Sequence, residues 1–172
     1  MAKRRAERGG TPATAELDRL GVPYAVERVE VDDAGPEVGL RVAAALGVPP
    51  GRVFKTLLVT DGAQQFVGVV PVAGTLNLRE LARALGVKSV ALAPLDVAER
   101  RTGYVRGGMS PLGQRTRHRT VIDASARAGA EMYVSGGRRG LELRLAPEAL
   151  ATALGASFAP IASPSPRADA GS

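Results

Sequence analysis

A lysine at position 55 interrupts an otherwise apolar run, Val53-Phe54-Lys55-Thr56-Leu57-Leu58-Val59. An ammonium in such a strand is costly unless it faces a cleft or the solvent beside a sheet edge. The chain holds three lysines, at 3, 55 and 88, against twenty arginines. A compact charge with three donors on a flexible stem suits a phosphate or a carbonyl oxygen. The second candidate is Thr102-Gly103-Tyr104-Val105-Arg106-Gly107-Gly108-Met109-Ser110-Pro111-Leu112-Gly113. Its glycines let backbone approach a ligand and present amides to an oxyanion or phosphate; a loop that merely turns has the same composition. It lacks the Gly-Lys-Ser/Thr ending of a nucleotide P-loop and the strand–glycine–helix frame of a dinucleotide site. The third is Tyr133-Val134-Ser135-Gly136-Gly137-Arg138-Arg139-Gly140, where Ser135 is placed to donate a hydrogen bond, to pair with Lys55, or simply to turn the chain. No Gly-x-Ser-x-Gly elbow surrounds it. Arg115, Arg117, His118 and Arg119 form a basic run that is either a solvated face or a phosphate contact.

Composition narrows the chemistry further. With no cysteine and a single histidine, thiolate metal sites, multi-histidine sites and a cysteine nucleophile are excluded. No metal and no cofactor are expected. Net charge is +6 and the pI is near 10.5, which favours a polyanionic partner. Part of that excess sits in residues 1–10, yet the body keeps about +3 by counting charges. Aromatics make up 3% of the chain, which disfavours base-stacking platforms of the usual kind. There is no apolar stretch of membrane-spanning length and no secretory h-region, so a cytoplasmic protein without membrane contact is expected.

The elements that must carry these residues are marked by their ends. Thr11-Pro12 reads as an N-cap with proline at the first helical position. Gly21, Gly47, Gly86 and Gly155 each follow a leucine and precede an apolar residue, the punctuation of a helix stop. Helices are predicted over about 12–20, 37–46, 77–85 and 147–154, with weaker ones near 95–101 and 124–129. Strands are predicted over 24–31, 53–59, 66–70, 89–93, 120–123, 132–135 and 141–145, the second and third joined through Asp61-Gly62. Hairpins mixed with helices argue for an α+β fold rather than a doubly wound parallel sheet. Both ends lack apolar content, so one domain over 11–162 is expected between tails at 1–10 and 163–172.

Together these segments resemble the YbaK/EbsC family, free-standing editing domains of the prolyl-tRNA synthetase-associated superfamily. The resemblance rests on Val53 to Val59, Pro71-Val72-Ala73-Gly74, Arg101 to Tyr104, Gly107 to Gln114, Val121-Ile122-Asp123-Ala124 and Tyr133 to Leu141, in the family's order. It covers everything but the two tails. It implies a mixed, partly barrel-like β-sheet flanked by helices, with one pocket for the aminoacyl end of tRNA. It also implies deacylation of Cys-tRNA(Pro), with Cys-tRNA(Cys) as a further substrate, by attack of the substrate's own thiol on its ester. In that scheme Lys55 holds the terminal adenosine or its phosphate, Gly107 and Gly108 face the carbonyl oxygen, and Ser135 orients the aminoacyl group. Glu142 stands where the family has an acidic residue for the amine, and Arg115, Arg117, Arg138 and Arg139 draw in the acceptor stem. Mischarged tRNA is the implied partner, prolyl-tRNA synthetase a second one, and the chain is taken as a monomer. Two family aromatics, a tyrosine and a phenylalanine, align with Val29 and Val38; the acidic position is glutamate rather than aspartate; the hairpin after Lys55 is a few residues shorter. Such changes bear on which amino acid is accepted, since one methylene is worth only ~1–3 kcal/mol of discrimination.

Overall fold

The first helix begins where Thr11 and Thr14 exchange hydrogen bonds: the Thr14 N–H donates to Thr11 Oγ1 and the Thr11 N–H donates to Thr14 Oγ1. This reciprocal cap satisfies two N–H groups that helix geometry leaves without partners. A computed structural model describes residues 10–32, 35 and 37–165. In chain order it contains α1 (Pro12–Leu20), β1 (Ala25–Arg28), α2 (Val38–Leu46), β2 (Phe54–Thr60), β3 (Gln65–Pro71), β4 (Gly74–Leu76) and α3 (Leu78–Leu85). There follow β5 (Ala91–Leu92), α4 (Leu95–Thr102), β6 (Arg119–Asp123), β7 (Met132–Arg138), β8 (Leu141–Leu145), α5 (Pro147–Leu154), β9 (Ser157–Ala159) and β10 (Ala162–Pro164). All five helices stop on a glycine with φ between +63° and +82°, the conformation that a side chain would disfavour.

The fold is α+β. A five-stranded mixed sheet has the order β5-β2-β3-β6-β9, and a three-stranded antiparallel sheet has the order β1-β8-β7. Strands β10 and β4 form a separate pair. A parallel bridge between Val53 and Tyr133 joins the two larger sheets at one corner. That corner gives the partly wrapped form expected from the resemblance; among the described residues no barrel closes.

Burial explains the stacking. One face of the large sheet packs Val59, Phe66, Val70 and Val121 against Leu81 and Leu85 of α3. The other face sets Phe54, Leu58, Val67, Val69 and Ile122 against Met132, Val134, Leu143 and Leu145 of the small sheet, with Leu17 of α1 and Leu150 of α5. Helix α2 covers a smaller cluster around Val42, Ala43 and Val53. Each fully buried leucine contributes about 1.5–3 kcal/mol over an exposed one.

Three strands were not anticipated: β4, β9 and β10. Each is three residues long, too short for alternation to register. The domain was expected to stop at Ala162, and the described pairing runs on through Ser163 and Pro164, opposite Thr75 and Gly74. The pairing uses main-chain groups, which composition does not reveal. Gly74 permits it, since a Cβ there would lie 2.6 Å from the Ser163 carbonyl oxygen. Residues 1–9 and 166–172 of the predicted tails lie outside the described residues.

Candidate active site

Lys55 occupies a gap between two helices. On its face of β2, Val53 is covered by α2 and Val59 by α3, and Lys55 falls between them. Its side chain is half-buried and opens into a cavity of about 670 Å³. Burial lowers the lysine pKa from its ordinary value, as desolvation disfavours the charged form.

The corner bridge brings the second group alongside. Continuing two residues from Val53 and from Tyr133 along their parallel runs reaches Lys55 and Ser135. The two-residue period of strands then puts both on the same face. Ser135 in turn stands opposite Glu142 in the β7–β8 register. Ser135 and Glu142 are thus paired across β7 and β8, Lys55 lies two residues beyond the bridge on β2, and all three line the cavity. Directly after Ser135 the register shifts up to Arg138, a bulge of the kind found beside functional sites. Ser135 Oγ accepts a hydrogen bond from the Gly137 N–H at 3.2 Å.

Glu142 is 6% exposed, and neither a hydrogen-bond partner nor an ion pair for it is found among the described residues. Burial pushes its pKa up to about 8, so the carboxyl is predominantly protonated at neutral pH. Its neighbour across β1, Glu27, is committed to Arg144 at 3.5 Å.

The glycine-rich loop closes the far wall. Tyr104 is buried, and its hydroxyl donates to the Leu112 carbonyl across the loop. Its ring packs on Gly137, where a Cβ would come within 2.7 Å. Gly107 has φ +86° and lines the cavity. Arg106, just before it, lines the cavity as well, and its carbonyl accepts from Arg139 Nε at 2.9 Å.

A second hollow of about 400 Å³ adjoins the first, sharing Val38, Val42, Gly107 and Glu142 as a common wall. Val29, Glu30, Asp32 and Arg139 line its other side.

Of the residues singled out in the sequence, Lys55, Gly107, Ser135, Val38 and Glu142 meet around the first cavity, and Val29 and Arg139 meet around the second. Gly108 lines neither. It packs on the Arg138–Arg139 backbone, where a Cβ would lie 3.0 Å from three main-chain atoms, and its N–H is spent on the Val105 carbonyl. Arg138 is exposed at the bulge of β7. Arg115 and Arg117 reach carbonyls near the C-terminal ends of α4 and α5, at Arg100 and Leu154, and line neither hollow. His118 is buried against Gln114 at 2.8 Å, with its pKa lowered by desolvation and then by Arg101, and it too stands apart from both hollows. Thr56 and Arg106 line the cavity without having been picked out. Thr56 gave no sequence signal, since threonine is ordinary in strands; a cation directly before Gly107 was the legible hint at Arg106. Among the described residues no cluster of three potential metal ligands occurs.

This geometry has counterparts. The sequence profile of the aminoacyl-tRNA editing domain matches residues 40–153. Over 94% of its length the chain is 36% identical to EbsC of Enterococcus faecalis, a candidate Cys-tRNA(Pro)/Cys-tRNA(Cys) deacylase, and covers 98% of that protein. It is 31% identical to a segment of a proline–tRNA ligase of Nitratidesulfovibrio vulgaris, covering 81% of this chain and 23% of the ligase. Among solved structures, a candidate trans-editing enzyme for prolyl-tRNA synthetase superposes with a TM-score of 0.78 at 22% identity, over 88% of this chain and 95% of the other.

Proposed function

Since the chain belongs to the aminoacyl-tRNA editing domain family, we propose that it clears a wrongly attached amino acid, cysteine first, from proline tRNA in trans. The observation that carries this reading is the convergence of Lys55, Gly107, Ser135 and Glu142 on one cavity from three separate stretches of chain. The cavity holds no cysteine and no serine–histidine pair, since the chain has no cysteine and its one histidine is elsewhere. A reaction in which the substrate supplies its own nucleophile fits that inventory.

In this reading Lys55 draws the terminal phosphate and offsets charge growing on the ester. The Gly107 N–H faces the carbonyl oxygen as it becomes anionic, a role preorganised amides perform well. Ser135 orients the aminoacyl group. Glu142 receives the α-ammonium and ionises as it does so, because an adjacent cation reverses the preference that burial imposes. The cysteine sulfur attacks the ester carbonyl carbon and the carbon–O3′ bond breaks. The thiol proton passes to the 3′-oxygen, leaving free tRNA and a cyclic thiolactone. Prolyl-tRNA synthetase, whose relatives carry a similar segment, is the partner that generates the error.

A second reading follows from Val29 and Val38. Valine-lined space continuous with the cavity accommodates another small amino acid, whose ester is then opened by a bound water.

Incubating the protein with proline tRNA charged with cysteine, alanine or proline, and following loss of label, tests both. Cysteine is released well above its spontaneous rate, and Lys55→Ala loses about 100-fold or more of that activity without a change in melting temperature. Faster loss of alanine than of cysteine favours the second reading. No enzyme-dependent loss from any of the three overturns both.

A further inference from the structure

Strand β2 has two edges, and one of them is open where it borders the cavity. In the antiparallel β2–β3 ladder, the Val53 carbonyl accepts from the Val72 N–H at 2.8 Å, and the register pairs Lys55 with Val70 and Leu57 with Gly68. Main-chain groups alternate in direction along a strand, so the odd-numbered residues face β3 and the even-numbered ones face the opposite edge. The Leu58 carbonyl confirms this by accepting from the Ala93 N–H at 3.0 Å on the β5 side.

That opposite edge is covered at both ends only. Strand β5 pairs with Val59 and Thr60. After Ala93 the chain turns through Pro94 into α4 and leaves the sheet. At the other end β7 bridges Val53 alone. Between these two supports no strand pairing is found for Thr56 among the described residues, and its N–H and C=O lie side by side along that edge. The Thr56 hydroxyl is buried without a partner, and the residue lines the cavity. Leu58, Leu92, Leu95 and Met109 surround this stretch, with Leu92 and Leu95 about half exposed at the mouth. The cavity is of a size that takes a drug-sized ligand, ~300–1,000 Å³, and a cysteinyl group alone fills a small part of it.

We infer that the open edge of β2 at Thr56 reads the terminal adenine of the substrate, its main chain donating to a ring nitrogen and accepting from the exocyclic amine, with the Leu92–Leu95 rim covering the ring. The inference rests on the editing reading, which supplies a purine nucleoside covalently joined to the aminoacyl group held by Lys55, Ser135 and Gly107. A flat heterocycle with adjacent donor and acceptor is the small-molecule equivalent of a missing neighbouring strand. The edge also explains how a domain poor in aromatics recognises a nucleotide: by hydrogen bonds and aliphatic cover rather than by stacking.

Hypoxanthine reverses adenine's pattern, replacing the amine with a carbonyl and the bare ring nitrogen with an N–H. The test measures binding of acceptor-stem minihelices that end in 3′-amino-3′-deoxyadenosine or its inosine counterpart, each carrying cysteine through a non-hydrolysable amide. A correct two-bond contact is worth roughly 10- to 100-fold in affinity, so the adenosine form binds at least 10-fold more tightly. A purine terminus that lacks the amine falls between the two. Equal affinity for the three ends, or no binding by any, overturns the inference. Release of cysteine from charged tRNA is scored separately. A protein that edits charged tRNA yet ignores the terminal base refutes the adenine contact and leaves the editing function standing. One that binds the adenosine end selectively but releases no amino acid does the reverse.

Discussion

Two carboxylates lie buried in neighbouring sheets, Asp123 at 5% exposure and Glu142 at 6%, and their surroundings differ in every respect. Asp123 ends β6, and its two oxygens accept from four donors. The N–H groups of Ile161 and Ala162 reach Oδ1 at 2.9 and 3.0 Å, and the N–H and hydroxyl of Ser125 reach Oδ2. Glu142 has none of this and faces a cavity. Folding alone does not favour a carboxyl buried without partners, because the desolvation is uncompensated. The satisfied carboxylate holds elements together; the other is left to the cavity it lines.

Removing each group should separate the two roles. Asp123→Ala leaves donors stranded in the interior and is expected to cost about 3–5 kcal/mol, read as a lower denaturant midpoint. A change under 1 kcal/mol would erase the contrast. Glu142 is expected to act through pH. Its folded pKa, about 8, lies above the ordinary 4.5, so the folded state holds the extra proton between those values. Stability therefore falls as pH rises across that window, by an amount on the order of 2–4 kcal/mol. Glu142→Gln removes the dependence, matching the parent below about pH 4.5 and exceeding it above pH 8. A parent whose stability is flat from pH 5 to 8 would show that Glu142 is solvated or paired. The smallest effect belongs to Ser125→Ala, which removes a single donor from Asp123 at a cost of about 1 kcal/mol, with deacylation unchanged.

The same contrast shows what the sequence could disclose. Helix ends were legible because they depend on neighbours in the chain: Thr11 with Thr14, or Gly47 after Leu46. Lys55 was legible because a charge in an apolar strand conflicts with its setting. Neither the partners of Asp123, 38 and 39 residues away, nor the meeting of Lys55, Ser135 and Glu142 at one cavity depends on local pattern. Both arise from register, and register emerges only when distant strands pair. The arginines divide along the same line. Arg106 and Arg139 join the two hollows, while Arg115 and Arg117 lie against helix ends away from them, although all four looked equally cationic in the chain.

The clasp between Asp123 and residues 161–162 also bears on biosynthesis. A ribosome releases the chain from its amino end, so Lys55, Gly107 and Ser135 all emerge before the N–H groups that anchor β10 beside β4. A nascent chain can thus collapse around its central strands but cannot lock its final clasp until residues 161–162 have emerged. Ser165, just past that clasp, borders the main cavity, so among the described residues the hollow gains its last wall residue only once this stretch has been translated.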